Sequence, residues 1–194
     1  MLLTFKPLKY VADVIAGVAG FEESGNYCYS VVQPNSFGET GDMDAPTIQR
    51  RAEQVTPQQI LRKGDILVKR LNPSYVYIFS GEKTEFVASS NLVVVRPRGD
   101  CDIDTFYLGF LLEQKDILGQ IEQVTGSSAA IKAISIKKLA DISIPVVPLE
   151  DQRRIGEVWK LSRKRKQLLN EYITESDKLV SMLATRIIGG GNKE

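Results

Sequence analysis

Residues 149 to 188 constrain this chain more than any other feature. Ile155, Trp159, Ser162, Lys166, Leu169, Ile173, Ser176, Val180, Leu183 and Ile187 follow alternating steps of four and three. That is the period of a coiled-coil seam, here with polar interruptions at Ser162, Lys166 and Ser176. Val158, Leu161, Leu168, Tyr172, Leu179 and Met182 widen the apolar face. Pro148 suits a first helical turn, and Glu150 and Asp151 place acid at the positive end of the helix dipole. Gly189–Gly191 is a stop signal. Such a helix is a rod of roughly 58 Å at about 1.5 Å per residue. A body built from the remaining residues is too small to cover it. The apolar stripe therefore calls for a second helix alongside, or for the rod to fold back on its own body.

Residues 1–148 read differently. Leu8–Ala16 has the spacing of a short amphipathic helix or turn ending at Gly17. Residues 22–47 are rich in turn formers, with one strand expected over Tyr27–Gln33. Asp65–Arg70, Tyr75–Phe79 and Asn91–Arg96 are β-branched or aromatic runs bounded by Gly, Pro and Asn, and read as strands. Residues 102–118 carry apolar side chains at helical spacing. Ser135 can cap a short helix over Ile136–Ala140, followed by a strand over Ile142–Val147. Strands and helices intermix without a βαβ rhythm, which indicates an α+β fold followed by one long helix.

Composition removes several kinds of chemistry. The chain has no histidine, so Ser-His-Asp and Cys-His nucleophile systems and imidazole-ligated zinc are excluded. Cys28 and Cys101 cannot hold zinc alone and read as two reduced thiols of a cytoplasmic protein. No apolar stretch reaches membrane-span length, and Lys6, Pro7, Lys9 and Asp13 break the N-terminal apolar run, so no secretory signal is read. Twenty-five Lys and Arg balance 24 Asp and Glu, so a nucleic-acid surface has to be local. No phosphate-binding glycine loop is present. Asn72-Pro73-Ser74-Tyr75 approximates the loop of amino-group DNA methyltransferases, but lacks the second proline and a preceding cofactor motif, so it reads as a turn. Glu82, Lys83 and Glu85 form too short a pattern to indicate a nuclease. Neither a catalytic group, a metal site nor a cofactor is expected.

Three segments combine the groups that contact DNA. Lys69, Arg70, Asn72, Ser74 and Tyr75 form one loop, and Gly126, Ser127, Ser128 and Lys132 another. Arg can bond guanine in bidentate fashion, Asn can bond adenine, and Ser or Lys can hold phosphates. The third is Asp151–Lys166, where seven basic residues against two acids leave a local charge of +5. It fits either a solvated helix face or backbone contact with nucleic acid.

The stretch from Ser135 to Ile155 resembles the junction in specificity subunits of type I restriction-modification enzymes. There a target-recognition domain ends in L-x-x-I-x-I-P-x-P-P-L-x-E-Q-x-x-I and enters a long helix. Leu139, Ile142, Ile144, Pro145, Pro148, Leu149, Gln152 and Ile155 match, while Val147 and Asp151 depart from it. Leu8-x-x-Val11-x-x-Val14-x-x-Gly17, Leu61-x-x-Gly64-Asp65-Ile66-Leu67-x-x-Arg70 and Ser89–Pro97 are similar to further family segments. Gly126-Ser127-Ser128-Ala129-x-Ile131 is similar to another, with Ala129 where glutamine is usual.

The resemblance implies a DNA-reading subunit without catalysis, in a form with one recognition domain. It implies a recognition domain over 1–148, a dimerisation and spacer helix over 149–188 and a flexible tail over 189–194. The implied partners are double-stranded DNA, a methyltransferase subunit and, in some assemblies, an endonuclease or translocase subunit. A homodimer through Ile155, Trp159, Leu169, Ile173, Val180, Leu183 and Ile187 is expected, reading an inverted repeat. Pairing with a different half-subunit is the related possibility. The competing reading is a coiled-coil assembly protein, or an inactive half-length cassette, that reads no DNA.

Overall fold

The computed structural model describes residues 4–190 apart from 23, 42, 44–46, 54, 72, 82–84 and 125–132. The expected α+β body and long C-terminal helix are both present. Nine strands and four helices are described: β1 Thr4–Pro7, β2 Ala12–Ala16, β3 Tyr27–Val32, β4 Ile48–Ala52, β5 Ile66–Lys69, β6 Val76–Ile78, β7 Phe86–Ala88, β8 Leu92–Pro97, α1 Thr105–Leu112, α2 Lys115–Val124, α3 Ile136–Asp141, β9 Ser143–Val146 and α4 Leu149–Gly190.

The strands form three sheets. An antiparallel sheet runs β2-β8-β5-β6, a second runs β4-β3-β7, and β1 pairs with β9. The inner strand β8 shows why the body holds together. Leu92, Val93, Val94 and Val95 are all buried, because the sheet is covered on both faces. Alternation sends Val93 and Val95 to a core shared with Tyr107, Leu108, Leu112, Leu139 and Ile144 from the helical side. Leu92 and Val94 face the opposite way, into a core with Phe37, Tyr77 and Phe79.

Two sequence expectations are corrected. Leu8–Ala16 is not a helix: Leu8–Tyr10 form a single 3-10 turn, and Ala12–Ala16 become strand β2 paired with β8. The spacing of three suited a helix, but Val14 and Ile15 favour a pleated surface, and pairing to β8 decides. The expected helix over 102–118 is two helices, broken at Glu113 and Gln114. Asp104 caps α1 by accepting from the amides of Phe106 and Tyr107 at 2.9 Å each. Strands β1, β4 and β7 were not expected. The expected strands over 27–33, 65–70, 75–79, 91–96 and 142–147, and the short helix after Ser135, are present.

Helix α4 has 42 residues. It begins packed on α1, where Gly156 lies against Asp104, Phe106 and Tyr107 with no room for a Cβ, and Trp159 lies over Gly109. Leu149, Asp151, Gln152, Ile155, Gly156, Trp159, Arg163 and Gln167 are the buried or half-buried residues of this stretch. Beyond Gln167 the described side chains are exposed, apart from a half-buried Ser176.

Candidate nucleic-acid interface

Segment 70–75 leaves the sheet between β5 and β6. The amide of Ile134 donates to the carbonyl of Arg70 at 2.9 Å, and Arg70 Nε returns a bond to the carbonyl of Ile134 at 3.3 Å. Arg70 also donates to the carbonyl of Ser90 at 3.1 Å. The base of this loop is thereby joined to the residue that closely follows the second candidate segment. Among the described residues these bonds use two of the five N–H groups of Arg70. Lys69 is half-buried, donates to the carbonyl of Phe37 at 2.8 Å and sits 4.8 Å from that ring. Ser74 is exposed and Tyr75 half-buried. Asn72, Ser127, Ser128 and Lys132, and also Glu82 and Lys83, lie outside the described residues.

The basic run on α4 divides. Arg163 turns inward with 11% of its side chain exposed. Lys164 donates to Gln167, Lys166 pairs with Glu39 at 3.0 Å, and Arg165 is exposed. The run is not one continuous cationic face. Arg50 and Arg51 on edge strand β4 are exposed and have no ion-pair partner among the described residues. With Phe21, Glu22 and Gln49 they line a concavity of about 460 Å³. Sequence reasoning passed over them because Ile48-Gln-Arg-Arg-Ala52 is too polar to read as a strand.

Both thiols are unpaired, and Cys28 is exposed. Partial burial and the neighbouring Asp100 push the Cys101 thiol up, which disfavours the reactive thiolate. Among the described residues no three acidic or cysteine side chains gather as a metal site, and no helix is long and apolar enough to cross a membrane.

The outer part of α4 carries its apolar side chains in the open. Leu169, Ile173, Val180, Leu183 and Ile187 are 50–76% exposed along the seam. Val158, Leu161, Leu168, Tyr172, Leu179 and Met182 form a second stripe one residue over, 53–72% exposed.

Sequence comparison decides the family. The type I restriction modification DNA specificity domain matches residues 13–173, most of the chain. The chain belongs to that family. No significantly similar sequence is found among curated proteins. The fold is that of specificity subunits. The HsdS subunit from Thermoanaerobacter tengcongensis superposes with a TM-score of 0.66 at 17% identity, covering 93% of this chain and 47% of that one. A chain from a structure addressing complex assembly and conformational transition of the type I R-M system gives 0.65 at 24%, covering 96% and 45%. The type I restriction-modification S subunit from M. genitalium gives 0.64 at 14%, covering 98% and 47%. The chain thus spans about half the length of these three chains.

The structure gives physical reasons for the specificity-domain motifs quoted above. Gly64 has φ +90°, a backbone conformation that glycine supplies without a Cβ clash. Asp65 beside it is buried and accepts from Arg96 Nε at 2.7 Å. Gln152 is 1% exposed. Its amide oxygen accepts from the amide of Asp104 at 2.8 Å, and its nitrogen donates to the carbonyls of Asp102 at 3.0 Å and Val147 at 2.8 Å. The junction glutamine therefore fastens the start of α4 to the loop that caps α1.

Proposed function

We propose that this chain is a non-catalytic DNA-recognition subunit that reads one half-site of a bipartite sequence, as a cytoplasmic partner of a methyltransferase. Two copies would pair through α4 and present two recognition bodies to an inverted repeat. The observation that carries this reading is the bare apolar seam on α4, attached to a body of the DNA specificity family. Across two copies the ten seam side chains are 50–76% exposed; at about 1.5–3 kcal/mol for full burial of each, covering them returns about 9–18 kcal/mol, set against the roughly 4–15 kcal/mol lost on association. The second stripe leaves a further apolar face open on each rod, and a methyltransferase subunit is its proposed occupant.

Reading would fall to the loops over 69–75 and 126–132. Arg70, Asn72, Ser74, Tyr75, Ser127, Ser128 and Lys132 are the candidates. Lys69 holds the loop base against Phe37, and Arg50 and Arg51, exposed on β4, supply further donors. Arginine forks suit guanine edges, and lysine or serine suits phosphate oxygens.

Selection of bound duplexes from a random pool tests the proposal. The expected outcome is an enriched inverted repeat and affinity that falls with salt. An assembly protein that reads no DNA would enrich nothing. The purified chain, given S-adenosylmethionine, ATP and Mg²⁺, is expected neither to methylate nor to cut DNA. Activity in that assay would refute the non-catalytic assignment.

A further inference from the structure

Strand β6 ends the four-stranded sheet, and at Val76 its outer edge meets side chains in place of another strand. The Val76 amide donates to Glu113 Oε1 at 3.0 Å, and its carbonyl accepts from Arg163 at 2.6 Å. Glu113 Oε2 accepts from Trp159 Nε1 at 3.0 Å. Arg163 lies 3.6 Å from Glu113, donates to the carbonyl of Thr40 at 3.1 Å and stacks 4.5 Å over the Trp159 ring. Gly41, at φ +72°, leaves room for this guanidinium, since a Cβ there would collide with it. The end of α1, strand β6, the loop at 40–41 and α4 therefore meet at one partly buried ion pair.

An apolar side chain would pack α4 against the body with less desolvation. A forked guanidinium and a carboxylate add direction, because each of their bonds requires a fixed angle. Val76 is also the residue that closes segment 70–75, so the node joins that segment to the rod. From Arg163 to Gly190 the rod extends about 40 Å further at about 1.5 Å per residue. A tilt of about 10° at the node moves the far end by about 7 Å, or two base-pair steps of about 3.4 Å.

We infer that Glu113, Trp159 and Arg163 are positioning residues that fix the angle between the recognition body and α4, and with it the spacing between the two half-sites. The inference rests on the DNA-reading dimer proposed above. Glu113→Gln combined with Arg163→Met removes the ion pair while keeping similar side-chain volumes. Trp159→Phe removes the indole donor and part of the ring volume while keeping an aromatic ring beside Gly109.

The test is duplex selection with wild type and both variants, read as the distribution of spacer lengths, with circular dichroism to show which variants are folded. Wild type is expected to enrich one spacer. Folded variants are expected to enrich the same half-site with spacers spread over about two base pairs either way, the double variant more than Trp159→Phe. If the double variant does not fold, Trp159→Phe decides. A merely structural node would lower the melting temperature and leave the spacer unchanged, and that result overturns the inference. Loss of the half-site itself in a folded variant also overturns it, because the node would then belong to the reading surface. Failure of wild type to enrich any sequence would remove the DNA-reading dimer, and the inference with it, a result distinct from an unchanged spacer.

Discussion

Replacement of Gln152 by leucine removes three hydrogen bonds at the hinge between body and rod. The side chain is nearly inaccessible, and its three partners are main-chain groups: the amide of Asp104 and the carbonyls of Asp102 and Val147. Leucine fills a similar volume, so the cavity contribution is small and the loss is mainly of pairing. At a net of about 1 kcal/mol per hydrogen bond, the cost is about 3 kcal/mol, with a range of about 2–4. That is a large share of the roughly 5–15 kcal/mol that holds a domain folded. For a chain of this size it corresponds to a fall in Tm of about 6–12 °C. Trp159 is the single tryptophan and packs from α4 against Gly109 of α1, so its fluorescence reports this contact directly. Thermal unfolding followed by that fluorescence and by circular dichroism at neutral pH gives the number. Glutamate at the same position keeps one acceptor but faces two carbonyls with a carboxylate, so it is expected to cost at least as much. A loss below about 1 kcal/mol for leucine would refute the claim that this amide anchors α4.

Asp65→Asn leaves Arg96 without its buried carboxylate and is expected to cost about 3–5 kcal/mol in urea unfolding. Gly41→Ala forces a left-handed residue and drives a methyl group into Arg163; its expected cost is at least about 1–2 kcal/mol by thermal melting. The hydrogen bond and charge of Lys9 hold the Asp141 carboxyl below the usual carboxylate range, and Asp141 raises Lys9 in return. The Asp141 contribution is therefore present above the usual carboxylate range and lost as pH falls through its lowered titration. The Lys9 contribution is complete below the usual lysine range and lost as pH rises through its raised titration. Asp141→Asn should flatten both limbs of the difference in stability against pH.

Helix α4 was legible in the sequence because its 4,3 spacing, interrupted by Ser162, Lys166 and Ser176, leads to the glycine run at 189–191; the helix itself extends to Gly190. Strands β5, β6 and β8 were legible as β-branched runs with turn residues at both ends. Strand β4 was not, because two arginines and a glutamine on an edge strand look like loop. Residues 8–16 carried a spacing compatible with helix, and only pairing with β8 made Ala12–Ala16 a strand. The break between α1 and α2 falls at Glu113, whose carboxylate is committed to Val76 and Trp159, elements far away in the chain. Likewise, four consecutive basic residues gave no sign that Arg163 alone turns inward. Local pattern reveals elements and faces, whereas buried polar nodes depend on partners that only the fold brings together.

Sedimentation equilibrium of the purified chain at micromolar concentration tests the pairing of two copies most directly. Wild type is expected at twice the 21.6 kDa chain mass, and a chain carrying Ile173→Glu and Val180→Glu at the single-chain mass with its body still folded. A wild-type chain that stays at the single-chain mass throughout would contradict the homodimer.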